Sequence, residues 1–312
     1  MEYSDTLRQG WAITWKHKFL WLLASLPALA GLISLVISFA TTLWMTNAAA
    51  LNPEVLTNTT RSVILVSCLN ILIVIIFSVV GVATRAGMIT GVAHIVRGET
   101  TGLGPAFREG LGKLPSLLGM TILLAVALLI VVFGLFAVCV LPVLFVTARA
   151  SEGQVGSSGF GQFAAICCIG LLWLLIAIIV NLIFTFATRG IMLNGEGALT
   201  SIGHGYRVSR ENLVEIILLA LPFVLVYGVI GGIFTVANFL GGFQLAIAEA
   251  GTAGITDTNF WGFLIAYLVY ALTLIVLGTW QSATFTIGYL QWTRDDQDDL
   301  FNFDKLAPTL RP

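Results

Sequence analysis

Residues 63–96 read VILVSCLNILIVIIFSVVGVATRAGMITGVAHIV, and the only acidic or basic side chains in that run are Arg85 and His94. A bilayer core of about 30 Å takes about 20 apolar residues as a helix. At about 1.5 Å per residue the whole run would make a helix of about 50 Å. Part of it, 63–84, is enough to cross, and the excess must tilt, lie in the interface or protrude. Five more regions have the same character, at approximately 19–45, 116–146, 163–187, 213–237 and 260–282. The expected fold class is therefore an all-α integral membrane protein with six transmembrane helices.

Composition points the same way. The 312 residues are 58% hydrophobic and 10% charged, against about 25% charged in a soluble domain. So few charges cannot cover a water-exposed surface. The formal net charge of −1 and the lack of a clustered basic face argue against a nucleic-acid partner. The first apolar run extends from about Phe19 to Met45, far beyond the 7–15 residues of a secretory signal core. It reads as a retained span, although Ala28-Leu29-Ala30 resembles a cleavage site. Cys68, Cys139, Cys167 and Cys168 all lie in apolar runs and read as small apolar filler.

The placement of Lys and Arg gives the orientation. The N-terminal segment holds Arg8, Lys16 and Lys18, the second connection Arg85, Arg97, Arg108 and Lys113, the fourth Arg189, Arg207 and Arg210, and the tail Arg294, Lys305 and Arg311. The first and third connections hold one each, Arg61 and Arg149, and the fifth none. Alternate segments thus carry 13 against 2, which predicts both termini in the cytoplasm. The triplet Asn58-Thr59-Thr60 in the first connection matches a glycosylation pattern, a short pattern common by chance.

Two weak patterns recur with a period near 100. Leu7-Arg8-Gln9-Gly10-Trp11, Phe107-Arg108-Glu109-Gly110-Leu111 and Ile202-Gly203-His204-Gly205-Tyr206 align without gaps at offsets of 100 and 95. Ala83-Thr84-Arg85 recurs as Ala187-Thr188-Arg189 and, more weakly, as Ala283-Thr284-Phe285. Together they predict a threefold repeat, 1–97, 98–195 and 196–292, within one transmembrane domain of 1–292, followed by an acidic cytoplasmic tail, 293–312. Each repeat would be a short amphipathic helix and a transmembrane hairpin. Leu7, Trp11 and Trp15 fall at i, i+4 and i+8, with Arg8, Lys16 and Lys18 off that stripe. Phe107, Leu111, Leu114 and Leu118 keep a similar period. These are features of helices in the membrane interface, with basic residues toward anionic headgroups. The alternative is that they simply extend the spans. Pro105 and Pro115 favour a break before the second hairpin.

Three amphipathic segments, three hairpins and a recurring basic or Gly-rich link resemble the membrane domain found fused to some bacterial glycerophosphodiester phosphodiesterases. Stand-alone bacterial membrane proteins have a similar layout. The resemblance covers nearly the whole chain and implies a bacterial inner (cytoplasmic) membrane protein. It does not imply phosphodiesterase activity, because the catalytic barrel of the fused enzyme would need about 250 more residues.

Candidate sites are few. No Asp, Glu or Lys lies within the six spans as drawn. Arg85 and Arg189, at matched repeat positions, are candidates for anion or anionic-lipid contact; positive-inside anchoring with a snorkelling side chain is the plainer reading. Asn70 and Asn181 would line a polar pathway or hydrogen-bond between helices, as such groups usually do. Asn70, about 10 Å inside the outer boundary, needs a partner or water. Asn238, Gln244 and Gln281 read the same way. Small residues at four-residue spacing, such as Ala83, Gly87 and Gly91, suit close helix packing or a homo-oligomer contact. His17, His94 and His204 are scattered, with no carboxylate spacing that suggests a metal site. Gly112-Lys113 lacks the rest of a phosphate loop, and no hydrolase or haem-attachment motif appears. The expected function is a non-enzymatic scaffold or accessory subunit, without catalytic residues, metal or cofactor. Its partners would be the bilayer, anionic headgroups and another membrane protein or a second copy. The alternative is a transporter or permease for a small or lipid-like solute.

Overall fold

A computed structural model describes residues 3–51, 55–135, 158–250 and 257–293. Those residues are helical or in short connections, with no strand among them. In chain order the helices are α1 (Tyr3–Lys16), α2 (Phe19–Leu51), α3 (Val55–Val96), α4 (Leu103–Gly112), α5 (Leu114–Leu135), α6 (Ser158–Arg189), α7 (Ala198–Glu211), α8 (Leu213–Ala250) and α9 (Asp257–Trp292). A π-helical turn, Gly190–Asn194, continues α6. Five described stretches are long and apolar enough to cross a membrane: Ile64–Val96, Leu114–Gly134, Gly170–Asn194, Leu213–Val236 and Tyr267–Trp292. They become six if Tyr3–Lys16 and Phe19–Ser34, bent by 84°, count as one. These dimensions fit a multi-pass membrane protein.

The outer surfaces support that reading physically. Ile130, Leu171 and Ile233 each leave about two-thirds of their surface exposed. In water each would forgo about 1.5–3 kcal/mol of burial; in lipid that surface is already matched.

The helix boundaries follow local chemistry. Pro105 lies in the first turn of α4 and Pro115 in that of α5, where a missing N–H costs little. The predicted break before the second hairpin is therefore present. Gly98, at φ 76°, ends α3. The Gly98 N–H donates to Ile95 O and the Glu99 N–H to His94 O, at 3.0 and 2.9 Å. That is a Schellman motif, which needs a left-handed residue after the helix. The connections expected at 46–62 and 238–259 are largely absorbed into helix, because α2 reaches Leu51, α3 begins at Val55 and α8 runs to Ala250. Asn58–Thr60 accordingly falls in α3 and not in a loop.

The chain divides into two compact units, Met1–Gly112 with Val214–Pro312, and Lys113–Leu213. In the first, α2 packs on α3, α4 on α3 and α2, α1 on α9, and α9 on α2 and α3. In the second, α6 packs on α7, and α5 on both. Long helices pack on one another as well as on the short ones. Ala83, Ala86, Val92, Phe223, Ile287 and Tyr289 are buried in the first unit, and Leu117, Met120, Phe186 and Ile191 in the second.

Each short helix buries a face of small residues. Thr6, Gly10, Ile13 and Thr14 are buried on α1, Ala106 and Gly110 on α4, and Ser201, Gly205, Val208 and Ser209 on α7. The Leu7–Trp11–Trp15 stripe instead points largely outward, with Trp11 and Trp15 exposed.

Candidate functional site

The two recurring sequence patterns meet in space. A Cβ placed on Gly110 would lie 3.0 Å from Gly87 N and 3.2 Å from Ala83 C, and one on Gly205 would lie 2.7 Å from Ala187 N and 2.8 Å from Ile183 O. A Cβ on Gly10 would overlap Thr284 Oγ1 and lie 3.1 Å from Thr284 N. Every aligned glycine thus seats on a long helix within one turn of the recurring Ala-Thr step: Gly110 of α4 between Ala83 and Gly87 of α3, Gly205 of α7 between Ile183 and Ala187 of α6, and Gly10 of α1 on Thr284 of α9. Only a residue without a Cβ permits such backbone approach.

At the α3–α4 junction these seats bring titratable groups together. The Schellman turn places Glu99 back over His94, and His94 Nδ1 is hydrogen-bonded to Glu99 Oε2. The other ring nitrogen, Nε2, faces Glu109 of α4, at 3.1 Å to Oε1 and 3.2 Å to Oε2. Glu109 lies one residue before the seating Gly110, so the seat itself aims it at the end of α3.

The α6–α7 junction is built differently. Here the helix widens into the π turn and closes at Gly195, φ 71°. Glu196 follows, as Glu99 follows Gly98. Its Oε1 accepts from Asn194 Nδ2 at 3.1 Å and lies 3.3 Å from His204 Nδ1 on α7. His204 is one residue before Gly205. The two junctions thus share a left-handed Gly-Glu step and an imidazole–carboxylate pair, with the acidic and imidazole roles exchanged at the position before the seating glycine. A Cβ on Gly190 would lie 3.0 Å from Glu196 Oε2, so a side chain there would press on the carboxylate.

The α9–α1 contact uses neutral groups. Trp280 Nε1 donates to Leu7 O at 3.0 Å, and Thr6 Oγ1 donates to Gln291 Oε1 at 3.4 Å. Trp11 meets Trp280 edge-on with centroids 5.0 Å apart, a geometry favoured by the ring quadrupoles.

The residues singled out in the sequence do not form one site. Arg85 is exposed on α3. Arg189 is only 3% exposed; its Nη1 donates to Thr185 O at 2.6 Å, and its guanidinium carbon is 5.9 Å from the Phe186 ring centroid. The matched sequence positions therefore carry different environments, in different units. Asn70 Oδ1 accepts from Ser34 Oγ at 3.1 Å, the interhelical partner its depth calls for. Asn181 is exposed on α6. Gln281 accepts from Tyr227 Oη at 3.2 Å. The side chains of Asn238 and Gln244 lie outside the described residues, as do those of Cys139, Cys167 and Cys168.

His94 and His204 each meet a carboxylate that the sequence reading did not pair them with. The signal was Gly98 four residues after His94, because a Schellman turn stacks the residue after the glycine on the one five before it. Among the described residues no three His, Cys, Asp or Glu side chains have metal-holding geometry.

A family model described as a domain of unknown function, DUF7847, matches residues 5–291. The chain belongs to the DUF7847 family. The DUF7847 match runs from the first turn of α1 to the last turn of α9, so it takes in all three seats. No curated protein and no solved structure matches the chain.

Proposed function

We propose that this chain is a non-enzymatic bacterial inner-membrane protein, a scaffold or accessory subunit, with six spans and both termini in the cytoplasm. The reading rests chiefly on where its polar chemistry lies. Ser34 with Asn70 and Tyr227 with Gln281 use their polar groups between helices, while the imidazole–carboxylate pairs gather where long helices meet short ones. A solute pathway would instead need polar groups presented to a cavity.

The three Gly-to-Ala-Thr seats support a threefold duplication of short helix plus hairpin. The outward faces support short helices lying in the interface. Trp11 and Trp15 are exposed beside Arg8 and Lys16, Leu103 and Leu111 beside Arg108 and Lys113, and Leu199 and Tyr206 beside Arg207 and Arg210. Large apolar groups with basic neighbours suit an anionic lipid surface. This layout also keeps the proposed resemblance to the phosphodiesterase-associated membrane domain.

The test is transport. Arginines hold their protons at physiological pH, so Arg85 and Arg189 can attract an anion but cannot shuttle protons. Protein reconstituted in vesicles is expected to show no solute uptake above empty vesicles under an imposed pH gradient. Robust gradient-driven uptake would replace this reading with the transporter.

Lipid contact is tested separately by native mass spectrometry. Arg85 is exposed and Arg189 enclosed, so Arg85→Gln should release bound anionic lipid. Arg189→Gln should chiefly lower stability, because it removes the donor to Thr185 O. An Arg85→Gln, Arg189→Gln protein that retains as much anionic lipid as wild type would leave both arginines as anchors only.

A further inference from the structure

The α3–α4 junction sets one imidazole between two carboxylates. At His94 both ring nitrogens face carboxylate oxygens, Nδ1 toward Glu99 and Nε2 toward Glu109. An ionised carboxylate only accepts, and a neutral imidazole has a single N–H. Both contacts are therefore satisfied together only when His94 carries two protons. Turning the ring over changes nothing, because a carboxylate stands on each side. At His204, by contrast, Nδ1 lies 3.3 Å from Glu196 Oε1, and Asn194 donates to the same oxygen.

We propose that His94 is a proton-operated clasp that holds α4 on the end of α3. As pH rises and His94 loses a proton, one ring nitrogen turns a lone pair toward a carboxylate. The two carboxylates are then no longer bridged by positive charge, and α4 keeps only its Gly110 seat. Few other charges can take over this role. Arg97 and Arg108 are exposed neighbours that stay charged throughout. α2, which packs on both α3 and α4, has no acidic, basic or imidazole side chain, and the only one on α9 is Asp257, its first residue. The clasp does not rest on the scaffold reading, and a transporter could carry it equally.

The test is amide hydrogen exchange on the full chain in detergent micelles, corrected for the intrinsic pH dependence of exchange. Between about pH 5.5 and about pH 8, the window in which imidazole ordinarily titrates, protection of 103–112 is expected to fall by about two- to fivefold, the scale of a lost exposed ion pair. His94→Gln, whose amide offers one donor and one acceptor at every pH, should flatten the α4 profile. Glu109→Gln should do the same, since its amide can donate to a deprotonated ring nitrogen, and it serves if His94→Gln does not fold. A level wild-type α4 profile, or a wild-type α4 slope in whichever variant folds, would overturn the proposal.

Discussion

Gly205→Ala is expected to destabilise the protein sharply, whereas Gly203→Ala, two residues away on the same helix, should be neutral or stabilising. The new Cβ at 205 would meet Ala187 N and Ile183 O at 2.7 and 2.8 Å. Both are backbone atoms, so no rotamer change relieves the clash and α7 must lift from α6. Overpacking of this kind costs about 1–3 kcal/mol, and Gly205→Val should cost more. Position 203 has nothing within 4 Å of a built Cβ, so there Ala returns up to about 1 kcal/mol of helix propensity. Gly110→Ala should behave like Gly205→Ala, because Gly87 N and the Ala83 carbonyl block it. Thermal stability in detergent, followed by size-exclusion chromatography, checks the set. Equal tolerance at 203 and 205 would mean that the glycine seats do not hold the short helices.

These glycines were visible in the sequence as a repeat but not as a contact. Alignment paired Gly10, Gly110 and Gly205 because they recur; it could not say that each would find the equally recurrent Ala-Thr step. The apolar period was misleading about burial. Leu7, Trp11 and Trp15 form the conspicuous stripe on α1, yet the face turned inward is Thr6, Gly10, Ile13 and Thr14. Hydrophobicity ranks residues for water; inside a membrane protein the inward face is chosen by size, since bulky apolar groups do as well in lipid. The long apolar runs were legible for the same reason that the site was not. A span is a one-dimensional property of composition, whereas the pairing of His94 with Glu109 depends on two helices crossing at a particular glycine. Glu99 was closer to hand, because its position over His94 follows from Gly98 alone. Arg85 and Arg189 show the limit of repeat logic: equal places in the pattern, one exposed and one enclosed.

Topology offers an all-or-none result. Single cysteines introduced into a cysteine-free background at Gly102 and Gly197 should resist a membrane-impermeant thiol reagent added outside intact cells. Those at Ala49, Val155 and Thr256 should react. The 13-to-2 distribution of Lys and Arg motivates this, because positive charge is retained on the cytoplasmic side. The short helices α4 and α7 follow closely on Gly102 and Gly197, so the same experiment reports which side of the membrane carries the imidazole–carboxylate pairs. Labelling of Gly102 from outside would invert the whole arrangement, including the lipid surface proposed for the short helices.

The seat of α1 on α9 has a consequence for the order of events during synthesis. Thr6 bonds to Gln291 across 285 residues, and Trp280 to Leu7 across 273. α4 and α7 each follow directly on the helix they pack against, so they can dock as they leave the ribosome. α1 must wait for α9, made much later. At about 5–20 residues per second, α1 stands without its partner for on the order of ten to fifty seconds, its small-residue face unmatched. The contiguous unit Lys113–Leu213 can be complete within that interval, while the unit that brackets it in sequence stays open until α9 has been made. A ribosome that stops before Trp280 leaves α1 with nowhere to dock, and an exposed α1 would be a ready mark of an unfinished molecule for a membrane protease.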